Sequence, residues 1–330
     1  MVMEQPMYRT GARPAGGLAV STTGLTKRFG DRTVVDDVGL AIPSGSVCGF
    51  VGPNGAGKTT TIRMLLGLVR PTSGGGTILG GSLAAPATYL DKVGALIEAP
   101  AFYPQLSGRE NLKALARLGR IPLAAVDPVL ERSGLLARAG DRYRSYSLGM
   151  KQRLGIAAAM LAGPELLILD EPTNGLDPAG IVEMRALINS FADDGITVLV
   201  SSHLISEIEQ ICDHVVMIRA GRLVYQGGVA ELRATQQAEF LITPEHDADR
   251  DRLARLLQQA GGTVTDERDA GLLVQAPGAG AADINRLAAQ NGITLSHLAE
   301  RTRSLERAFF ALTGTKSADV PDDLEMGAIR

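Results

Sequence analysis

Gly52-Pro53-Asn54-Gly55-Ala56-Gly57-Lys58-Thr59 has the residue types and spacing of a phosphate-binding loop, G-x-x-x-x-G-K-[ST]. Its glycines let backbone N–H groups curl around a β-phosphate without a Cβ clash, and a following helix start adds positive dipole. Lys58 is placed to reach the β- and γ-phosphates, and the Thr59 hydroxyl to ligate Mg²⁺. A second chemical element is Asp170-Glu171, at the end of the apolar run Leu166-Leu167-Ile168-Leu169. Asp170 is suited to the Mg²⁺ shell and Glu171 to polarising an attacking water. Both elements need a particular scaffold. The loop must join a strand, here the apolar run Val47 to Val51, to a helix, here Thr60 to Leu68. A continuous apolar run before the acids is what a parallel strand buried on both faces requires. Together these features imply binding and hydrolysis of a nucleoside triphosphate.

Between the two elements, Tyr146-Ser147-Leu148-Gly149-Met150-Lys151-Gln152-Arg153 opens a helical stretch running through Leu161. Here the chain resembles the ATP-binding cassette (ABC) ATPases, whose signature L-S-G-G-Q precedes the second acidic strand. Ser147 and Gly149 match it, whereas Tyr146, Leu148 and Met150 depart from it. A serine hydroxyl and N–H groups at a helix start can hold an anion, although in isolation Ser147 reads as an ordinary N-cap. Three further segments extend the resemblance. Asn174-Gly175-Leu176-Asp177-Pro178 is similar to the family's D-loop, His203 stands at the switch histidine after a strand at Ile196 to Val200, and Phe29 stands at the adenine-stacking aromatic. No N-K-x-D guanine reader is present in the sequence.

The resemblance also places the Q-loop at Glu98, where most members carry Gln. A carboxylate there is either a third oxygen ligand for Mg²⁺ or a simple loop residue. The aromatic pair that follows, Phe102 and Tyr103, is expected to be exposed and, by the same resemblance, to face a short cytosolic helix of a membrane subunit. Aromatic anchors of this size dominate interfaces, and the alternative is that both rings pack inside the helical subdomain.

At 330 residues the chain has room for two cores, and a net charge of -3 offers no basic footprint for nucleic acid. Cys48 and Cys212 have no metal-type spacing, no secretory leader is read at the start, and no run of about 18 apolar residues is long enough to span a membrane. The expected organisation is a polar tail at 1–17, a nucleotide-binding domain at 18–233, an α+β domain at 234–313 and a disordered tail at 314–330. Alternating stretches at Ala19 to Thr22, Thr33 to Val38 and Thr77 to Leu79 predict an antiparallel β layer, and about 90–162 reads as an inserted helical subdomain. After Arg233 the pattern predicts β-α-β-β-α-β, a ferredoxin-like order. Ser304 to Thr313 is similar to the S-L-E-x-x-F-x-x-L-T ending of the bacitracin- and daunorubicin-type export group.

The resemblance therefore implies an α/β phosphate-loop ATPase core with an antiparallel β subdomain, a helical insertion and an added ferredoxin-like domain. It implies ATP and Mg²⁺ as ligands, an ATP-dependent homodimer, and a membrane-spanning permease on another chain, at the cytoplasmic face of the membrane. Ser147, Leu148, Gly149 and Met150 would then act on the ATP of the second copy, beside Asp177. A different class, a soluble ABC ATPase acting on DNA or the ribosome, is the alternative. The segment from Lys58 to Tyr146 has no room for a long coiled coil, and one cassette rather than two is present. A catalytically dead regulatory cassette fits less well, because the phosphate, metal and water-handling positions other than Glu98 are standard.

Overall fold

A computed structural model describes residues 17–98, 101–234, 238–267, 271–276, 278–301 and 304–313. Both tails expected from the sequence, apart from Gly17, lie outside the described residues. The chain divides into two compact units, 1–229 with 309–330, and 230–308.

The first unit opens with β1 (Leu18–Phe29), β2 (Arg32–Val38) and β3 (Ala41–Pro43), followed by β4 (Val47–Val51) and α1 (Lys58–Leu65). Next come β5 (Ser73–Ile78), β6 (Gly81–Ser82) and β7 (Val93–Leu96). The helices α2 (Gly108–Leu118), α3 (Val126–Arg132) and α4 (Leu148–Met160) lead to β8 (Leu166–Asp170). Then α5 (Pro178–Asp193), β9 (Thr197–Ser202), α6 (Ile205–Ile208), β10 (His214–Arg219) and β11 (Arg222–Gly228) complete the unit.

Six of these strands form the core sheet, in the order β11-β10-β4-β9-β8-β7. All its pairings are parallel except that of β11 with β10. Every residue of β4, β8 and β9 is buried, which is why Val47 to Val51, Leu166 to Leu169 and Val198 to Val200 run without polar alternation. Phe50, Ile62, Met64, Leu166, Ile168, Leu199 and Val216 share one core, where each large side chain contributes roughly 1.5–3 kcal/mol of burial. At Gly49 an added Cβ would lie 2.1 Å from Ile208 Cγ2, so α6 can press directly against β4. Cys48 and Cys212 are both buried and unpaired, and burial pushes both thiols far above their usual range.

The antiparallel layer holds β2-β1-β5-β6, with β3 also on β1. Here β1 continues to Phe29, well past the expected Thr22. Gly24, at φ 64°, and register shifts on either side of Lys27 let the strand bulge through a sequence that otherwise reads as a turn. The expected start of the helical insertion near 90 is also corrected. β7 pairs in parallel with β8 as the edge of the core sheet, and the helices begin only at Gly108. Its small residues carry little β signal, and Gly94 is required because a Cβ there would lie 2.2 Å from the Ala159 carbonyl. Pro128 likewise sits inside the first turn of α3, where its missing N–H costs no intrahelical bond.

The helical insertion is fixed at its start by a capping box. Ser107 Oγ accepts from the Glu110 N–H at 3.2 Å, and Glu110 Oε2 accepts from the Ser107 N–H at 2.8 Å. Replacing Ser107 by Ala is expected to destabilise the fold by about 1 kcal/mol. A urea unfolding midpoint equal to wild type, at unchanged slope, would show that the cap carries no such weight.

After α7 (Val229–Ala234) the second unit contains β12 (Glu239–Pro244), α8 (Arg250–Gln259), β13 (Thr263–Glu267), β14 (Gly271–Gln275), α9 (Ala281–Gln290) and β15 (Leu295–Arg301). The sheet order β13-β14-β12-β15, antiparallel throughout, is the ferredoxin-like arrangement that the sequence order predicts. Phe240, Ile242, Leu253, Leu257, Val274 and Ile284 fill its core. In α10 (Leu305–Thr313), Phe309 is buried and Leu312 is 49 % exposed.

Candidate functional site

The loop 52–57 leaves the carboxyl end of β4 and delivers Lys58 as the first residue of α1. Gly57, the N-cap, sits at φ 105°, and a Cβ there would lie 2.8 Å from the Val34 carbonyl. Only glycine meets both conditions, so the bend by which the loop enters α1 depends on it. A cavity of ≈ 270 Å³ lies over the loop, lined by Asn54 to Thr60 together with Arg32, Val34 and Glu171. Such a glycine cradle at a helix start, with a lysine inside it, fits a polyphosphate.

Lys58 is buried, and its ammonium donates to the Gly52 carbonyl at 2.6 Å and to the Pro53 carbonyl at 3.5 Å. It also lies 3.4 Å from Glu171 Oε1. Burial lowers the lysine pKa, and the carboxylates of Glu171 and Asp170 partly restore it. The other Glu171 oxygen, Oε2, lies 2.6 Å from His203 Nδ1, the geometry of a ring N–H donating to a carboxylate. Glu171 thus joins the loop lysine at one oxygen and the histidine after β9 at the other.

Two more bonds fix the acidic pair. Ser201 Oγ donates to Asp170 Oδ1 at 2.5 Å and accepts the Glu171 N–H at 2.9 Å. Glu171 itself has φ 50°, a left-handed conformation that costs a non-glycine residue roughly 1–2 kcal/mol. Strain of this kind persists only where neighbouring contacts hold it. Thr59 and Asp170 supply a hydroxyl and a carboxylate, both hard oxygen donors. That is a donor set Mg²⁺ accepts when phosphate oxygens and water complete its shell.

The remaining predicted positions distribute as follows. Ser147 caps α4, its Oγ accepting from the Met150 N–H at 3.3 Å, so the N-cap reading holds. Ser147 to Met150 do not line the loop cavity. They lie instead beside the turn 174–177, where a Cβ on Gly175 would come 3.0 Å from Leu148 and one on Gly149 would come 3.7 Å from Leu176. Asp177 caps α5, accepting from the Gly180 N–H at 3.0 Å. Phe29 is 52 % exposed with the Lys27 ammonium 4.9 Å from its ring centre, and Arg32 faces it across the hairpin.

Glu98 does not reach Asp170 or Thr59 here. It is ion-paired with Arg63 of α1, has φ 60°, and its side chain is largely exposed. The expectation of two exposed rings is half corrected. Phe102 is partly buried, edge-on to Tyr143 at 5.2 Å, whereas Tyr103 is 68 % exposed. Asn111 holds this loop by accepting the Tyr103 N–H at 2.8 Å and donating to its carbonyl at 3.1 Å. Sequence reasoning missed Arg32, Val34, Ser201 and Arg63. The position of Arg32 just past the Gly30-Asp31 turn after Phe29 was the one available signal.

A family model described as ABC transporter matches residues 35–174, and one described as a domain of unknown function matches residues 243–306. The chain is 39% identical over 302 residues to the bacitracin transport ATP-binding protein BcrA of Enterococcus faecalis, which covers 89% of this chain and 96% of that protein. It is 34% identical over 303 residues to the daunorubicin resistance ATP-binding protein DrrA3 of Streptomyces coeruleorubidus, covering 90% and 96% respectively. A solved ATP-binding subunit of an ABC transporter superposes with a TM-score of 0.59 at 31% identity, over 66% of this chain and 92% of that one. The chain belongs to the ABC transporter family, as one of its ATP-binding, ATP-hydrolysing subunits. No helix among the described residues is long and apolar enough to cross a membrane.

Proposed function

We propose that two copies of this chain power a separate membrane-spanning exporter subunit from the cytoplasmic face of the membrane. The observation that carries the reading is Glu171, which lines the phosphate-loop cavity while bonded to His203 and facing Lys58. In this reading the loop N–H groups and Lys58 hold the β- and γ-phosphates, with Lys58 exchanging its present carbonyl partners for phosphate oxygens. Phe29 stacks on the adenine. Glu171 takes the proton of the attacking water, and His203 orients the carboxylate from its far side. Thr59 and Asp170 hold Mg²⁺, which when bound neutralises charge developing on the β- and γ-phosphate oxygens. Glu98 stays with Arg63 unless metal and nucleotide draw it away.

The signature residues lie outside their own cavity, so Ser147 and Gly149 of one copy close over the ATP of the other. With Glu171→Gln and ATP present, light scattering should report a dimer, and adding Ser147→Arg should return it to monomer. A protein that stays monomeric with ATP and its membrane partner, or dimerises despite Ser147→Arg, would refute the shared site. The cargo class, a peptide antibiotic or drug, rests on what the named relatives handle. Recovery of a membrane-spanning chain with this one from detergent-solubilised membranes tests the partner assignment, and recovery from the ribosomal or nucleoid fraction instead would favour the soluble class.

A further inference from the structure

Among the described residues, the one buried carboxyl that this scheme leaves unused is Glu207, in α6, 7 % exposed. A side chain of this type is seldom buried unless something specific holds it. Among the described residues its recorded partners are two hydroxyls. Thr173 Oγ1 donates to Glu207 Oε2 at 2.6 Å, and Ser202 Oγ donates to the same oxygen at 3.3 Å. Thr173 lies two residues beyond Glu171, and Ser202 immediately precedes His203. The two segments that Glu207 ties together are therefore those that carry the Glu171–His203 contact.

We infer that Glu207 is a positioning residue for hydrolysis, clamping the chain after Glu171 to the chain before His203. The inference rests on the proposed roles of Glu171 and His203. Side chain and backbone form a closed ring: Glu171 to His203 by their hydrogen bond, His203 to Ser202 along the chain, Ser202 to Glu207 to Thr173 by hydrogen bonds, and Thr173 back to Glu171 along the chain. The ring explains how Glu171 keeps a left-handed conformation. Pro172 follows it, and a residue before proline is sterically restricted, so this conformation has no local support. It is pinned from the front by its N–H bond to Ser201 and from behind by Thr173 on Glu207. Loss of the rear anchor frees the carboxylate to shift, and misplacement of a reacting group by about 1 Å can cost up to about 100-fold in rate.

Thr173→Val removes the hydroxyl at constant shape and gives the test. Turnover should fall about tenfold, with KM for ATP within about twofold of wild type, and Thr173→Ser should restore it. In a His203→Ala background, Thr173→Val should change turnover by less than about twofold, because the partner being positioned is gone. Wild-type turnover for Thr173→Val, no rescue by Thr173→Ser, or effects that multiply with His203→Ala would each overturn the clamp. Should Thr173→Val not yield folded protein, Ser202→Ala carries the same comparison. Wild-type turnover in His203→Ala alone would instead sink the assignment of the histidine, and the clamp would then be decided by the Thr173→Val and Thr173→Ser pair.

Discussion

Glu171→Gln is expected to lower ATP turnover by about 100-fold or more while leaving nucleotide affinity near wild type. The amide keeps the shape of the carboxylate and can still accept from His203 Nδ1 through its carbonyl oxygen, so the ring around the site stays closed. What it loses is the capacity to accept a proton from water. Phosphate release under saturating ATP reads the rate, and equilibrium titration with ATP reads the affinity. Undiminished turnover would remove Glu171 as the base, and a parallel loss of affinity would mean that its role is in binding.

Lys58→Ala is expected to weaken ATP binding by about 10- to 100-fold, the scale of a charge-assisted hydrogen bond to phosphate. Two effects combine. The phosphates lose their buried cation, and the Glu171 carboxylate loses the ammonium that now lies 3.4 Å from its Oε1. Both oppose the approach of a polyanion. Titration with a nonhydrolysable ATP analogue isolates binding from turnover, and an unchanged affinity would show that the loop N–H groups suffice alone.

Much of the scaffold was legible because single physical demands act on consecutive residues. Val47 to Val51 and Leu166 to Leu169 had to be apolar throughout to lie in a sheet covered on both faces, and the loop from Gly52 to Gly57 had to carry glycine. The second unit's β-α-β-β-α-β order followed from ordinary periodicity. What escaped notice depends on contacts between distant residues. Ser201 bonds Asp170 across 31 positions and Thr173 bonds Glu207 across 34, and no local spacing marks either pair. The pairing of Glu98 with Arg63 is of the same kind. β7 was hidden for another reason. Val93-Gly94-Ala95-Leu96 is chosen for close approach to α4, and small residues carry little strand pattern. Phe102 and Tyr103 are adjacent and chemically alike, yet Phe102 packs edge-on to Tyr143, 41 positions away, while Tyr103 is exposed.

The two buried thiols have a practical consequence. A thiol reacts as its thiolate, and Cys48 and Cys212 form almost none near neutral pH because burial disfavours that charge. The sequence has no other cysteine. The wild-type chain is thus a ready blank for maleimide chemistry. A single cysteine introduced at Tyr103, on the exposed ring position beside the Asn111-anchored loop, would take a fluorophore or spin label alone and report motion there during turnover, with no native thiol needing removal.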